Sequence, residues 1–253
     1  MPKDEMPTRL KEEAEKKKTI LPVEISTIVD PYTPEEKEAL VTRRILEILV
    51  PKFMVIVVTK SDLVLRDIDI LSRGTCIVEI SVTTSDPQLE GMLEPSAPSF
   101  ERRIRAIGKL TEKGVRVSPR LDPLIPYLND KPREIQQIVQ SMSDAGAKHV
   151  TSSTMKADRI ILAQLEKAFP EMYGRISRLY LNKGERHGRE YFLDSHTRND
   201  LMKRVYRACR KYNMSFATCR EGFGLLDTGT CDGFHLLGAG KELPEGDRRS
   251  LTH

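Results

Sequence analysis

The feature that most constrains this chain is a repeating order. Short β-rich apolar runs alternate with helical stretches, and almost every run ends in proline and polar residues. Val23–Val29 (VEISTIV) is followed by Asp30-Pro31-Tyr32-Thr33-Pro34, where Thr33 and Pro34 open a helix. A stripe of Leu40, Ile45, Ile48 and Leu49 carries that helix to about Val50. Phe53–Thr59 (FMVIVVT) is continuously apolar, as in a strand covered on both faces. A helix near Asp62–Leu71 precedes the strand Cys76–Val82. The spacing then predicts a helix over Pro98–Lys113 closed by Gly114, a strand over Val115–Leu121, a helix over Pro132–Ala145 closed by Gly146, and a strand over His149–Ser153. Five strands separated by helices imply an α/β fold with a parallel sheet and right-handed crossovers, either a barrel or a doubly wound sheet. In both, ligands sit at the C-terminal ends of the strands. Here those ends carry Asp30-Pro31, Thr59-Lys60-Ser61, Thr83-Thr84-Ser85-Asp86, Asp122-Pro123 and Ser152-Ser153-Thr154. No GxGxxG or Walker loop follows a strand, so a dinucleotide or P-loop site lacks its signature.

After Met155 the β rhythm stops. Asp158–Phe169 reads as an amphipathic helix, Ile176–Tyr180 as either helix or strand, His187–Asp194 as a loop, Asp200–Tyr212 as a basic helix and Phe223–Cys231 as a Gly/Thr-rich loop. The expected organisation is an α/β unit over residues 1–157, a mainly helical extension over 158–240 and a disordered tail over 241–253. Upstream of the first strand, Thr8 caps a strongly charged helix reaching about residue 18, with Leu10 its one large apolar residue. The chain is 39% hydrophobic and 31% charged, which excludes a disordered protein. Its longest apolar runs fall far short of the roughly 20 residues that span a bilayer. With no leader sequence and four scattered cysteines, the expected setting is a reducing cytoplasm, away from any membrane. From Thr151 onward 18 Lys/Arg face 13 Asp/Glu, a basic excess that admits a nucleic-acid partner without requiring one.

Several of these segments together are similar to the radical SAM proteins related to spore photoproduct lyase. Thr27–Tyr32 (TIVDPY) with Leu40–Leu46 (LVTRRIL) resembles that family's second βα unit. The likeness continues through Val58-Thr59-Lys60-Ser61, Ile80–Thr84 and Leu93–Ser99 leading to Arg102. It runs on through Ala106–Leu110 with Gly114, and through Asp122–Pro126 with Asn129-Asp130. The C-terminal Ala217–Gly222 (ATCREG) and Cys231-Asp232-Gly233 resemble the branch described as DNA repair photolyase-like. The resemblance covers residues 4–238 in order. It implies an incomplete (β/α)6 TIM-like barrel. In that family a [4Fe–4S] cluster, held by a CxxxCxxC loop after the first strand, binds S-adenosylmethionine (SAM) and cleaves it to a 5′-deoxyadenosyl radical.

This sequence departs from that pattern. Cys76, Cys209, Cys219 and Cys231 form no CxxxCxxC, so the cluster's ligands are absent from the chain. The first strand of the expected barrel is missing with them. Two expectations follow. One is an N-terminally shortened radical SAM lyase-like enzyme, completed by a missing segment or chain, with Val23–Val29 as an open strand edge. The other is a cluster-less protein that binds SAM, a nucleotide or nucleic acid without catalysis. A third class is an aldolase- or hydrolase-type barrel with Lys60 as a Schiff-base amine.

The resemblance places Lys60 and Ser81 against the methionine part of SAM. A strand-end lysine and a buried serine bonded to backbone are the ordinary alternatives. Asp30, Arg120 and Asp122 sit at strand ends, where they can meet a carboxylate, ribose hydroxyls or substrate, although Arg120 and Asp122 share a strand face and can simply pair. Glu94-Pro95 and Arg102 read as a structural loop–helix ion pair. Cys219, Cys231 and His235, with Cys209 as a fourth ligand, are candidates for zinc or an auxiliary iron–sulfur cluster, against the simpler reading of free cysteines and a loop histidine. Lys203–Lys211 (KRVYRACRK) is basic with one aromatic residue; it can track phosphates, or be the solvated face of a helix.

Overall fold

The computed structural model describes residues 6–17, 22–25 and 29–238. The expected disordered tail, 241–253, lies outside the described residues, as do positions 26–28 of the predicted first strand. In chain order the elements are α1 (Met6–Lys16), β1 (Pro22–Ile25), α2 (Glu36–Ala39), α3 (Val41–Leu49), β2 (Met54–Thr59), a 3-10 turn over Asp62–Asp67, α4 (Ile68–Leu71), β3 (Cys76–Val82), α5 (Pro87–Leu93) and α6 (Phe100–Glu112). They continue with β4 (Arg116–Val117), β5 (Arg120–Leu124), α7 (Pro132–Asp144), β6 (His149–Thr154), α8 (Arg159–Ala168), α9 (Pro170–Leu181), β7 (Glu185–His187), β8 (Glu190–Phe192), α10 (Ser195–Lys211) and β9 (Ser215–Thr218).

One parallel sheet organises these elements in the order β1-β2-β3-β5-β6-β9, with β4 also paired to β3. All its pairings are parallel, as the alternation of strands and helices requires. Along β3, Val78, Ile80 and Val82 face one side while Ile77, Glu79 and Ser81 face the other, and all seven residues are buried. The apolar side receives the helices. Ile107 and Leu110 of α6, Ile135, Ile138, Val139 and Met142 of α7, and Leu201, Met202 and Val205 of α10 belong to the one core cluster. The other side is concave. The sheet curls far enough that Glu24 on the β1 edge interacts electrostatically with Cys219, just past β9 on the opposite edge.

Three sequence expectations change here. The segment after residue 157 is largely helical, but it also supplies β9, which pairs in register with β6 from His149↔Ser215 to Ser152↔Thr218. The sheet therefore has a sixth parallel strand, with α8, α9 and α10 in the connection, and residue 157 does not divide it. Ile176–Tyr180 is helix, and the stretch expected as a loop near His187 is the β7–β8 hairpin. The predicted helix from Pro34 to Val50 is two helices. Leu40 adopts a left-handed backbone (φ 52°) between them, and the buried Glu36 carboxylate accepts from the backbone N–H groups of Val41 (3.1 Å) and Thr42 (2.9 Å). A side chain thus caps the first turn of α3, where donors lack intrahelical partners.

The run Val115–Leu121 also divides into β4 and β5, and β5 extends to Leu124. Gly114 and Gly146 close α6 and α7 with positive φ (75° and 92°), as their spacing predicts. The charged helix α1 lies against α3, with Pro7 and Ala14 buried and Lys52 Nζ donating to the Ala14 carbonyl. Among the described residues no helix is long and apolar enough to cross a membrane.

Candidate functional site

The concave face of the sheet is polar where β3, β5 and β6 meet. Register places Ser81, Arg120 and Thr151 side by side. Arg120 binds Glu79 of β3 (NH1 to Oε2, 2.7 Å) and Asp122 of its own strand (NH2 to Oδ2, 2.9 Å). Ser153 Oγ donates to the other oxygen of Asp122 at 2.6 Å. Burial drives Glu79 up to about 7 although Arg120 pulls it down. Burial also raises Glu24, again against Arg120. Burial opposes the charge on Arg120, but Asp122 and Glu79 hold its pKa well above the usual value. The hollow is thus organised around one guanidinium with carboxylates on several sides.

A second cluster lies at the strand ends. Asp30 accepts from Tyr32 N (2.9 Å), Thr59 Oγ1 (2.7 Å) and Lys60 N (2.7 Å). Its carboxylate is committed to pinning the β1–α2 connection onto the end of β2, so it fixes the backbone of Lys60 rather than pointing free into the mouth. The Lys60 side chain is 39% exposed, and its Nζ lies 3.6 Å from Glu94 Oε1. Thr83 Oγ1 donates to the same oxygen at 2.6 Å. The other oxygen of Glu94 pairs with Arg103 NH1 at 2.6 Å, and Glu90 lies 3.4 Å from Arg103 NH2. Arg103 is 1% exposed and also donates to the carbonyls of Pro98 (2.7 Å) and Ser81 (3.1 Å). Buried Asn129 stitches the floor, donating to Thr83 O (2.8 Å) and Pro123 O (2.9 Å) and accepting from Ile125 N (2.7 Å).

The expected pairing of Glu94 with Arg102 is replaced. Arg102 forms a two-pronged bridge with Asp62 (2.7 and 2.8 Å), and Arg103 takes Glu94. One residue along α6 is about 100° around it, so Arg103 faces the sheet while Arg102 faces the 3-10 turn. Ser81 is buried on the concave face. Arg120 and Asp122 do pair, and Asp122 reaches Ser153 as well. Glu79, Glu94, Thr83, Arg103 and Ser153 were not singled out as site residues from sequence. The available signal was a glutamate at the centre of CIVEISV, an otherwise apolar strand.

The candidate metal ligands do not assemble as a set. Cys209 lies in the apolar core on α10, and burial pushes its thiol up to about 12. His235 accepts from Thr230 N at Nδ1 (3.0 Å), so its Nε2 donates to Ser215 Oγ (2.9 Å), and its ring meets His149 edge-on at 4.5 Å. Cys219 and Cys231 alone come together, near Arg120. Among the described residues no three His, Cys, Asp or Glu side chains converge as ligands for a metal ion. On the basic run of α10, Arg207, Arg210 and Lys211 are exposed, Lys203 is half-buried, and Arg204 is tied to Asp130 at 2.9 Å.

No protein-family model matches the sequence. An uncharacterised protein of Methanocaldococcus jannaschii is 32% identical over 155 residues, covering 60% of this chain and 58% of that protein. One from Acidianus two-tailed virus is 26% identical over 188 residues, covering 67% of this chain and 61% of that one. The chain thus spans about six tenths of the length of these relatives. Among solved structures, spore photoproduct lyase with bound AdoMet and dinucleoside spore photoproduct overlaps 86% of this chain and 66% of its own, with a TM-score of 0.64 and 15% identity. SuiB of Streptococcus suis overlaps 86% of this chain and 43% of its own, with a TM-score of 0.50 and 13% identity. The class defined by fold is therefore a mixed α/β protein with a curled parallel sheet, like spore photoproduct lyase.

Proposed function

We propose that this chain forms most of an incomplete (β/α) barrel of the radical SAM type, lacking a first strand, and that its strand-end mouth binds SAM. The observation that carries the reading is the presentation of Lys60. Its backbone is clamped by Asp30, its ammonium stands half-exposed, and Glu94, its ion-pair partner among the described residues, also faces Arg103 at 2.6 Å and accepts from Thr83. A ligand carboxylate can take the lysine without stranding a buried charge. Ser81, buried on the concave face, is the second residue this reading assigns to the methionine part. Arg120 and Asp122 form the frame beneath. The neighbour with bound AdoMet, and the fold it shares with this chain, support SAM over other carboxylates.

The residues present fit SAM but do not fit a [4Fe–4S] cluster. Such a cluster needs three thiolates close together, whereas Cys76 and Cys209 are buried in the core and only Cys219 and Cys231 are neighbours. Under this reading the cluster's thiolates come from outside these 253 residues, from a strand that would pair with the side of β1 that no described strand occupies. The same observation favours the second reading, a cluster-less SAM-, nucleotide- or nucleic-acid-binding protein. The dinucleoside bound by the structural neighbour and the exposed cations of α10 support a nucleic-acid substrate or partner under either reading.

Calorimetric titration of the chain with SAM tests the shared part. Saturable binding is expected, and its absence refutes both SAM readings. Anaerobic reconstitution with iron and sulfide then separates them. The chain alone is expected to yield no 5′-deoxyadenosine, and the enzyme reading requires that adding the upstream segment of a relative restore it.

A further inference from the structure

The strap that follows β9 folds back into the concave face. Thr228 N donates to Phe216 O (2.8 Å), Phe216 N to Thr228 Oγ1 (2.9 Å) and Thr218 N to Asp227 Oδ1 (2.7 Å), so the strap lies along β9. Two adjacent residues of β6 then anchor the two cysteines. The Ser152 carbonyl accepts from Cys219 N at 2.9 Å, and Thr151 Oγ1 donates to the Cys231 carbonyl at 2.9 Å. Gly233, with φ of 74°, lets the strap turn where an added Cβ would lie 3.0 Å from Ser118. This anchoring from neighbouring residues of one strand brings Cys219 and Cys231 close enough to influence each other's ionisation, with the Arg120 guanidinium also acting on Cys219. Cys219 is half-buried and Cys231 exposed, so a small reagent can reach the pair, whereas Cys76 and Cys209 are buried.

A guanidinium beside one cysteine of such a pair decides what the pair can do. It repels a metal dication and stabilises a thiolate. Interaction with Cys231, together with Arg120, lowers the pKa of Cys219 against the effect of burial. The same interaction and burial raise that of Cys231. The cation acts on Cys219 and not on Cys231, so Cys219 is the attacking cysteine and Cys231 the resolving one.

We propose that Cys219 and Cys231 form a redox-active dithiol that closes to an intramolecular disulfide with a small-molecule disulfide of the glutathione class. The Cys219 thiolate attacks one sulfur of the oxidised reagent and expels the first glutathione thiolate. That thiolate takes up the Cys231 proton. Cys231 then attacks the Cys219 sulfur and expels the second glutathione as a thiolate. Two electrons pass from the cysteine pair to the reagent, which ends as two reduced molecules. Closure removes the Cys219 anion from beside Arg120 and locks the strap into the hollow. The inference stands on the strap geometry and does not depend on what the mouth binds.

Peptide mapping of the full chain, equilibrated in graded mixtures of reduced and oxidised glutathione, tests it. Trypsin cuts after Arg220 and separates Cys219, in Tyr212–Arg220, from Cys231, in Glu221–Lys241. In oxidising mixtures the two peptides are expected to run joined and two hydrogens lighter than their sum, and to separate on reduction. Cys231→Ser is expected to stall the reaction as a glutathione adduct on Cys219. Cys219→Ser is expected to slow the first thiol loss at pH 7 by about tenfold or more, because the better nucleophile is gone. Separate glutathione adducts on both cysteines of the wild-type chain with no joined peptide would overturn the proposal. So would equal reaction rates in the two serine variants, or one tightly bound zinc or iron per chain that both substitutions release.

Discussion

Replacing Lys60 with alanine separates a ligand-binding mouth from a merely polar strand end. A charge-assisted hydrogen bond to a carboxylate contributes about 1.5–3 kcal/mol when both groups are dry. The Lys60 side chain is 39% exposed, so screening brings the expected loss to the lower end of that range and below it, about 1–2 kcal/mol. That corresponds to SAM affinity about 5- to 30-fold weaker. Stability should hardly move. The Lys60–Glu94 contact is 3.6 Å and partly exposed, and Glu94 keeps Arg103 at 2.6 Å and the Thr83 hydroxyl at 2.6 Å. Such a pair contributes less than about 1 kcal/mol. Calorimetric titration with SAM, beside a thermal melt of the same samples, reads both quantities. A melting temperature lowered by several degrees with unchanged affinity would refute the reasoning, because it would make Lys60 a structural residue and leave the mouth without its ligand cation.

Other perturbations test the surrounding frame. Glu79, pushed up to about 7 by burial, binds a proton in the folded chain that the unfolded chain gives up nearer pH 4.5, so stability should fall as pH rises from about 4.5 to 7. In urea melts across that window Glu79→Gln should flatten the decline, and an unchanged slope would assign it to other groups. Arg103→Met should cost about 3–5 kcal/mol, because Glu90 and Glu94 lose the cation that faces them in a buried setting; a loss under about 1 kcal/mol in urea denaturation would show that water reaches these carboxylates. Glu36→Ala should cost about 1–3 kcal/mol in the same assay, through the lost cap of α3 and the Arg66 contact at 3.0 Å. Charge reversal at Arg207 and Arg210 should weaken single-stranded DNA binding several-fold at low salt and flatten its salt dependence; identical titration curves would make this run a solvated helix face.

The periodic part of the fold was legible because the strands that build it are buried on both faces. Such strands read as continuous apolar runs, and Cys76–Val82 matches its observed bounds at both ends. Two features were not legible, for physical reasons. β9 is four residues long, and its Ser215-Phe216-Ala217-Thr218 has no apolar run; pairing with β6 and packing beneath α10 make it a strand, and both are long-range. The break at Leu40 was hidden because its sequence has no glycine or proline. The buried Glu36 carboxylate, from within α2, supplies the cap. At the site, Lys60, Ser81, Arg120 and Asp122 came from strand-end position and family resemblance. Glu79 and Arg103 required knowledge of which helix and strand faces turn inward. A shift of one residue on α6 exchanged Arg103 for Arg102 as the partner of Glu94.

The two charge clusters differ in how replaceable their members are, and this bears on which of them can meet a ligand. Arg120 is held by Glu79 and Asp122 and also touches Cys219, so a ligand that took it would leave those carboxylates buried beside a weakened cation. Asp30 has its three hydrogen bonds with neighbouring main chain and Thr59, so ligand contact there would cost the connection that positions β2's end. Lys60 has neither constraint. Its partner is shared, its head group is open to solvent, and its backbone is fixed by the aspartate that the sequence suggested as a ligand contact in its own right. Under the proposed reading, the strand-end aspartate and the hollow's arginine act as the frame, and Lys60, with its exposed head group, is the group a ligand carboxylate takes.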